Sequence, residues 1–318
     1  MENLKILFLA SHWRVSLIRA FQDSKSRFKG SVNLICADSD RMAPSFKEAD
    51  LKRVIPLFSE TGCLNSLLEI CRTEQISALV PLTNKAIEFL AQHREELENA
   101  ERKFCISENR VIDICHDKWK LYEFLKDEGF TTPQTFLAEQ VKPLFPLIAK
   151  PRRGEGSKEL LVIEDQSDLK FYAKKRPYHV FQHYIEGREF SVDVFFDQQG
   201  LPRLIVPRER LAVRGGEVMV SRINMNDEII DQVEKLGTSL KMTGPGTIQG
   251  IRDATGKFYF TDVNLRFGSG FIHTLATGGD VPLMMFKELA GLELDENRPA
   301  IKNHSVMTRF PESIYYHQ

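Results

Sequence analysis

The sequence predicts an α/β protein whose first domain is a parallel sheet covered by helices, followed by a body made mainly of strands. Short, almost uninterrupted apolar runs, which are typical of strands buried on both faces, occur at residues 5–10, 32–37 and 76–82. Helical patterns accompany them near residues 16–22, 61–74 and 84–98. This alternation predicts a parallel sheet over residues 1–115.

After residue 116 the pattern changes. A helix predicted over 117–128 ends at Gly129, and Pro133 follows it. Polar and apolar residues then alternate along Glu189–Asp197, which predicts a half-buried strand. Two hairpin turns and two amphipathic helices are predicted at 199–200, 253–256, 226–241 and 279–291. The second part is therefore expected to be a strand-rich body.

Composition limits the functional classes. The chain has 318 residues and a net charge of −1, from 43 Lys and Arg against 44 Asp and Glu, so a protein that binds nucleic acid mainly through phosphates is not expected. No apolar run reaches the length of a membrane span, and the N-terminus does not resemble a signal peptide. The five cysteines contain no C-x-x-C pair and are expected to be buried thiols. We therefore expect a cytoplasmic enzyme or small-molecule binder, without nucleic-acid or membrane partners.

Polar residues follow the predicted parallel strands. In such a sheet the ligand crevice lies at the carboxyl ends of the strands, where His12, Trp13, Asp38 and Asn84 occur. The first strand is not followed by a G-x-G-x-x-G motif, so no dinucleotide fingerprint is present. These four residues are candidates for substrate contact, although each alone is more often structural or on the surface.

Lys150 ends an apolar run and precedes a loop that contains Gly154, Gly156 and Ser157. Glycines let backbone N–H groups approach phosphate oxygens, while an ammonium neutralises them. Taken alone, the pattern more often marks a solvated lysine.

A second motif lies at Gln182–Glu189. One strand is predicted to end near Ile185, and a Glu-Gly turn leads to a strand that begins with Glu189. An acid at a strand entrance can accept two ribose hydroxyls, but a surface acid on an edge strand fits the pattern as well.

The third motif combines Gln249 with Asp262 and Asn264. The last two are two residues apart on one predicted strand, so they share a face, and the turn at 253–256 brings Gln249 beside them. Oxygen ligands of this kind suit a hard cation such as Mg²⁺. The alternative is a polar sheet surface that faces solvent.

The fourth group is basic. Guanidinium groups match the geometry of carboxylates and phosphates, although scattered arginines are usually solvated. Its members are Arg208, Arg210, Arg214 and Arg266.

In this order and at these spacings, the motifs resemble the ATP-grasp superfamily, in particular its carbamoyl-phosphate-synthase-like branch. The resemblance also takes in His116-Asp117-Lys118-Trp119, and it covers nearly the whole chain. It implies a pre-ATP-grasp, Rossmann-like domain at 1–115, a small ATP-grasp lobe with a phosphate flap at 116–186, and a large lobe with a metal site at 187–318. One ATP-grasp unit fits in this length, so a doubled synthase is not expected.

The resemblance also implies roles for single residues. The ATP-binding set is Lys118, Lys150, Gly154, Gly156, Ser157, Gln182, His183, Ile185 and Glu189. The ligands of Mg²⁺, or alternatively Mn²⁺, are Gln249, Asp262 and Asn264. The catalytic residues are Arg266, Lys150 and Arg214, and the substrate arginines are Arg208, Arg210 and Arg214.

The activity implied is ATP-dependent ligation: a small carboxylate is phosphorylated to an acyl phosphate and coupled to an amine, with release of ADP and phosphate. Two alternatives stay open, an enzyme that phosphorylates carbamate or bicarbonate, and a non-catalytic ATP-binding sensor or partner subunit. A homodimer is one possible assembly of the chain. Glu155 departs from the family pattern because it places a carboxylate in the flap, where it would repel a triphosphate.

Overall fold

The computed structural model describes residues 3–98, 102–138, 144–154 and 160–316. Its first domain is a five-stranded parallel sheet in the order β3-β2-β1-β4-β5. The strands are β1 (Asn3–Leu9), β2 (Ser31–Asp38), β3 (Leu51–Val54), β4 (Ala78–Pro81) and β5 (Lys103–Phe104). The helices are α1 (Val15–Lys25), α2 (Cys63–Thr73), α3 (Asn84–Gln92), α4 (Arg94–Leu97) and α5 (Asn109–Cys115), with a 3₁₀ turn at Pro44–Lys47. The predicted parallel sheet is confirmed.

The second group of elements, the small lobe, contains a four-stranded antiparallel sheet in the order β6-β9-β7-β8. Its elements are α6 (Lys118–Asp127), β6 (Thr135–Leu137), β7 (Leu147–Pro151), β8 (Leu161–Ile163), α7 (Gln166–Lys175) and β9 (His179–His183). The core of the sheet and α7 consists of Leu147, Ala149, Ile163, Leu169 and Phe181, whereas Leu121 and Leu125 of α6 are buried in a different core.

The third group, the large lobe, is built on an antiparallel sheet in the order β14-β13-β10-β11-β12-β15. Its strands are β10 (Arg188–Phe196), β11 (Pro202–Arg214), β12 (Glu217–Ile223), β13 (Gly244–Arg252), β14 (Phe258–Asn264) and β15 (Val306–Thr308). Its helices are α8 (Asp227–Leu240), α9 (Phe271–Ala276) and α10 (Val281–Leu289). The alternation predicted in β10 is present, but its polar face is covered too, since Ser191 and Asp193 are both buried.

The first domain and the large lobe share their hydrophobic cores. One core joins Leu7 of β1 to Val192 of β10 and Leu236 of α8. The other joins the first domain to α10 through aromatic contacts, with the rings of Phe21 and Phe286 5.9 Å apart. These two parts of the molecule are therefore packed as one body.

The described end of the chain also returns to the first domain. After β15, Glu312 forms an ion pair with Arg19, with Oε2 and Nη1 2.6 Å apart. The Tyr316 hydroxyl donates to the Ala43 carbonyl oxygen at 3.0 Å. The segment after β15 thus forms a second connection between the large lobe and the first domain.

All five cysteines are buried free thiols, as predicted. Burial raises the pKa of Cys36 to about 12 and that of Cys71 to about 11, so these thiols are poor nucleophiles. Within the described ranges, no helix has both the length and the apolar character needed to cross a bilayer. We propose that the domain limits are 1–115, 116–186 and 187–318, because each boundary falls between two secondary-structure elements.

Candidate active site

The junction of the two lobes brings Lys150 and Lys118 close to Asp262. Lys150 lies near the end of β7, and its Nζ donates to the carbonyl oxygen of Thr261 on β14 at 3.2 Å. Desolvation lowers the pKa of Lys150 to about 8, and the Lys118 charge acts in the same direction while Asp262 opposes it. The predicted phosphate lysines and the predicted metal carboxylate therefore lie close enough to interact.

Lys118 is held by the start of α6. Asp117 caps this helix and accepts from the backbone N–H of Trp119 at 3.0 Å. The Arg152 Nε donates to both Asp117 oxygens at 2.7 and 2.9 Å, which locks the cap to the strand that carries Lys150. The Lys118 Nζ donates to the Gly154 carbonyl oxygen at 3.1 Å, so it lies at the entrance of the glycine-containing loop.

The predicted flap is only partly within the described residues. Gly154 has a φ of 133°, a backbone conformation that favours glycine. Glu155, Gly156 and Ser157 lie outside the described residues, so their predicted roles stay predictions.

The predicted metal ligands lie on one face of the β13–β14 pair. Gln249 is directly opposite Asp262, and Asn264, two residues on, is opposite Thr247. One carboxylate and two amide oxygens form a donor set that fits Mg²⁺ or Mn²⁺. A group of three His, Cys, Asp or Glu residues that could hold a metal is absent from the described part of the chain.

The predicted adenine segment lies on β9 and the connection that follows it. Gln182 is buried, pairs with both β6 and β7, and donates from Nε2 to the Thr135 hydroxyl at 2.9 Å. His183 is half-buried, and desolvation lowers its pKa. Ile185 is half-buried between β9 and β10. The Gln182 side chain is thus already hydrogen-bonded inside the small lobe.

Glu189, the predicted ribose ligand, lies at the start of β10 and is exposed. Its Oε2 is 3.1 Å from the Arg210 Nη1, so Arg210, predicted to contact substrate, is placed beside the predicted ribose carboxylate. Arg214, from the same strand, is exposed at the β11–β12 turn.

Arg208 was predicted to contact substrate, but it is buried in an ion pair with Asp193. Its side chain is 1% exposed, and its Nε and Nη2 donate to Asp193 at 2.6 and 2.9 Å, so the predicted substrate contact does not fit this geometry. Asp193 also accepts from Thr247 and Thr274, and the Thr247 hydroxyl accepts from the Gly268 backbone N–H at 3.1 Å. This buried network supports the loop that follows β14.

Arg266, on that loop, faces the first domain. Its Nε donates to the Asn84 side-chain oxygen at 3.1 Å and its Nη1 donates to the Phe267 carbonyl oxygen at 3.2 Å. One turn along α3, Glu88 lies 3.2 Å from the Nδ1 of His116. Burial lowers the pKa of His116. The charge of Arg266 also lowers this pKa, and the charge of Asp262 raises it. His116 and Glu88 were not predicted as site residues, although His116 directly precedes the Asp117-Lys118 motif.

A cavity of about 230 Å³ lies between the first domain and the large lobe. Its lining includes His12, Trp13 and Asp38, three of the residues predicted at the crevice. Ala10, also in the lining, has a φ of 56°, an uncommon and strained backbone conformation for a residue with a Cβ. From the large lobe come Glu217, Gly268, Ser269 and Arg309.

Comparison with known families identifies the two parts of the chain. Residues 115–270 match the model of the ATP-grasp domain. This chain carries an ATP-grasp domain. Residues 6–104 match the PylC-like N-terminal domain. Together the two matches cover the first domain and most of both lobes.

Similar proteins and solved structures agree with the ATP-grasp match. The carbamoyl-phosphate synthase of Methanobrevibacter smithii is 31% identical over 201 residues, or 60% of this chain and 52% of that protein. The chain spans about half the length, or less, of the curated relatives it matches. The biotin carboxylase domain of the Hydrogenobacter thermophilus 2-oxoglutarate carboxylase superposes with a TM-score of 0.78 at 16% identity, over 97% of this chain and 75% of that one. An L-amino acid ligase from Bacillus licheniformis gives 0.72 at 19% identity, over 91% and 75%. These likenesses confirm the fold.

The predicted ATP, metal and arginine residues all fall inside the ATP-grasp domain. The contacts made by Asn84 and Glu88 come instead from the PylC-like N-terminal domain. Sequence patterns could not reveal them, because the paired residues are 182 and 28 positions apart.

Proposed function

We propose that this chain is an ATP-dependent ligase that phosphorylates a small carboxylate and couples it to an amine. The observation that carries the proposal is the convergence of Lys118, Lys150 and Asp262 at the junction of the two ATP-grasp lobes. Cations beside a carboxylate ligand are what the transfer of an anionic phosphoryl group to a second anion requires. Arg266 follows on the loop after the metal strand and supplies a further positive charge.

The nucleotide is proposed to bind across the junction, and its binding residues come from both lobes. Lys118 and Lys150 hold its phosphates, and the backbone beside Gln182, His183 and Ile185 reads adenine. Glu189 accepts the ribose hydroxyls. Gly154, Gly156 and Ser157 form the flap, which keeps water from the acyl phosphate.

The metal is proposed to be Mg²⁺, or Mn²⁺ in its place, held by Gln249, Asp262 and Asn264. Their oxygen atoms fit a hard cation, and the biotin carboxylase domain similar to this chain was solved with MgADP. When bound, the ion neutralises charge on the phosphate oxygens.

The reaction proceeds in two balanced steps. A carboxylate oxygen attacks the γ-phosphorus, the bond to the bridging oxygen breaks, and an acyl phosphate and ADP form. The amine nitrogen then attacks the acyl carbon, which expels phosphate and loses a proton to form the amide. Arg266 stabilises the transferred group, and Arg214 lies toward the acyl substrate. Arg210, which was also predicted to contact the substrate, lies beside Glu189.

The cavity beside the N-terminal domain is the proposed substrate site. Its lining carries both signs of charge, since Arg14 and Asp38 lie there together with the Arg309–Glu217 ion pair, which suits a small zwitterion such as an amino acid. A volume of about 230 Å³ has room for a small amino acid.

We propose that the protein forms a homodimer and is located in the cytoplasm. The similar biotin carboxylase domain was solved as a dimer, which supports a homodimer here. A cytoplasmic location is consistent with the buried free thiols.

The test is an ADP-release assay over pairs of amino acids and small carboxylates, in the presence of ATP and Mg²⁺. The ligase predicts ADP release that needs both a carboxylate and an amine, with an amide product visible by mass spectrometry. ADP release with bicarbonate alone would support the carbamate-type alternative instead. Thermal stabilisation by ATP without ADP release under any pair would support a nucleotide-binding sensor.

A further inference from the structure

Helix α3 of the N-terminal domain reaches into the ATP-grasp domain with two side chains. Asn84 and Glu88 are four residues apart, so they lie on the same face of the helix. Asn84 accepts from the Arg266 Nε at 3.1 Å, and Glu88 lies 3.2 Å from the His116 Nδ1. One helix face therefore contacts two residues that border the phosphoryl-transfer site.

We propose that α3 positions this site: Asn84 orients the guanidinium of Arg266, and Glu88 orients the ring of His116. The inference rests on the proposed function, because it assigns Arg266 to the transferred phosphoryl group. It adds Asn84 and Glu88 as positioning residues contributed by the first domain.

The helix is built to hold its position. It starts directly after β4, and the Thr83 hydroxyl caps it by accepting from the Ala86 backbone N–H at 3.2 Å. On its other face Ala86, Ile87 and Leu90 are completely buried in the shared core. Because that core is continuous with the large lobe, α3 cannot shift independently of the loop that carries Arg266.

Arg266 needs such support. An arginine side chain has several rotatable bonds, and fixing them in one geometry carries an entropic cost. Bonds from Nε to Asn84 and from Nη1 to the Phe267 carbonyl oxygen define the plane of the guanidinium before any ligand binds. A planar fork that is already oriented can then meet phosphate oxygens without reorganising.

The second contact orients a buried histidine. His116 has a side chain that is 3% exposed, whereas Glu88 is half exposed. A carboxylate at Nδ1 favours the tautomer that carries its proton there, and this fixes the ring. The other nitrogen, Nε2, is buried and has no hydrogen-bond partner among the described residues. Because Lys118 follows two residues later, the ring also fixes the approach to α6.

The experiment compares Asn84→Ala and Glu88→Gln with two controls on exposed surfaces of the same domain, Asn65→Ala on α2 and Glu95→Gln on α4. With the substrate pair found above, each test variant is expected to lower kcat by about 10- to 100-fold with little change in the KM for ATP. The controls are expected to stay within about twofold. A double variant, Asn84→Ala with Arg266→Ala, is expected to be no slower than Arg266→Ala alone.

A readout independent of turnover separates this inference from the proposed function. The ¹⁵N resonance of the Arg266 Nε–H, assigned with Arg266→Lys, is expected to shift and exchange faster with water in Asn84→Ala. The ¹⁵N shifts of His116 are expected to show a changed tautomer ratio in Glu88→Gln. Unchanged resonances, unchanged kcat, or equal kcat losses by Asn84→Ala with and without Arg266 would overturn the inference. If the wild type releases no ADP, the proposed function fails, while the resonances still report on the helix.

Discussion

The small lobe differs from the rest of the molecule in the way it is packed. Its core contains five buried side chains of its own, whereas the first domain and the large lobe share two extensive cores. A region with few buried apolar contacts opens at a lower free energy than the body it is attached to. Lys150 and the proposed adenine segment lie on this separately packed sheet, whereas the proposed metal ligands and Arg266 lie on the body.

The contacts that join the two parts are apolar at α6, where Leu121 and Leu125 enter the shared core, and polar at β14. Lys150 donates to the Thr261 carbonyl oxygen, and the Thr132 hydroxyl donates to the Phe260 carbonyl oxygen at 3.0 Å. The attachment therefore passes beside the proposed metal carboxylate. We therefore expect nucleotide binding and closure of the small lobe to occur as one event.

The largest effect is expected from Lys150→Ala, which removes the charge at the junction. Turnover is expected to fall by about 10²- to 10³-fold, because a preorganised charge next to the phosphates is lost. ADP release measures it, with Lys170→Ala on the exposed face of α7 as the control. Wild-type turnover in a folded Lys150→Ala protein would remove the phosphate assignment.

Matched leucine truncations test the difference in packing directly. Leu169→Ala on α7 and Leu236→Ala on α8 remove the same buried side chain from the two parts, each at a cost of about 2–5 kcal/mol. In calorimetry, Leu169→Ala is expected to produce a separate early transition that ATP suppresses, while Leu236→Ala lowers the main transition. A single transition, lowered equally by both variants, would show that the lobe is not separate.

Asp262→Asn tests the metal on the stable side of the junction. It removes the one carboxylate of the donor set, so the Mg²⁺ concentration for half-maximal activity is expected to rise by about tenfold or more. Activity titrated with Mg²⁺ measures this. The neighbouring Asp253→Asn, in the exposed β13–β14 turn, is the control and is expected to leave the midpoint unchanged. An unaltered midpoint in Asp262→Asn would exclude this site.

The smallest effect is a pH dependence. Because desolvation lowers the pKa of Lys150 to about 8, its ammonium is present below that pH and is lost as the pH rises through it. ATP affinity is therefore expected to be constant below about pH 7 and to weaken above pH 8, by up to about tenfold per pH unit. Calorimetric titration measures it. Lys150→Arg keeps its charge and is expected to flatten the profile; the same decline in that variant would assign it to another group.

Much of the first domain could be predicted from periodicity, because β1, β2 and β4 are long apolar runs and α2 is regular. The short strands β3 and β5 carry little signal, since Leu51–Val54 is largely exposed and β5 has two residues. The predicted helix over 84–98 is divided at His93 into α3 and α4. Local patterns predict elements well where burial is regular and poorly at the edges of a sheet.

The candidate site could be predicted only where the ligands lie near one another in sequence. Asp262 and Asn264 share a face by spacing alone, and the turn brings in Gln249. The burial of Arg208 could not be predicted, because its partner Asp193 comes from a neighbouring strand whose polar face was expected to meet solvent. An alternation of polar and apolar residues does not show whether the polar face meets solvent or a buried opposite charge.

The shared cores also have a consequence for how the chain is made. The first sheet is complete at Phe104, but Val192 and Ile248, which help cover it, come much later in the chain. At synthesis rates of about 5–20 residues per second, the roughly 140 residues between Phe104 and Ile248 take roughly 7 to 30 seconds. During that time an apolar face of the nascent first domain stays exposed, because the residues that bury it have not yet been synthesised. A chain that stops near residue 115 is therefore expected to aggregate or to depend on chaperones.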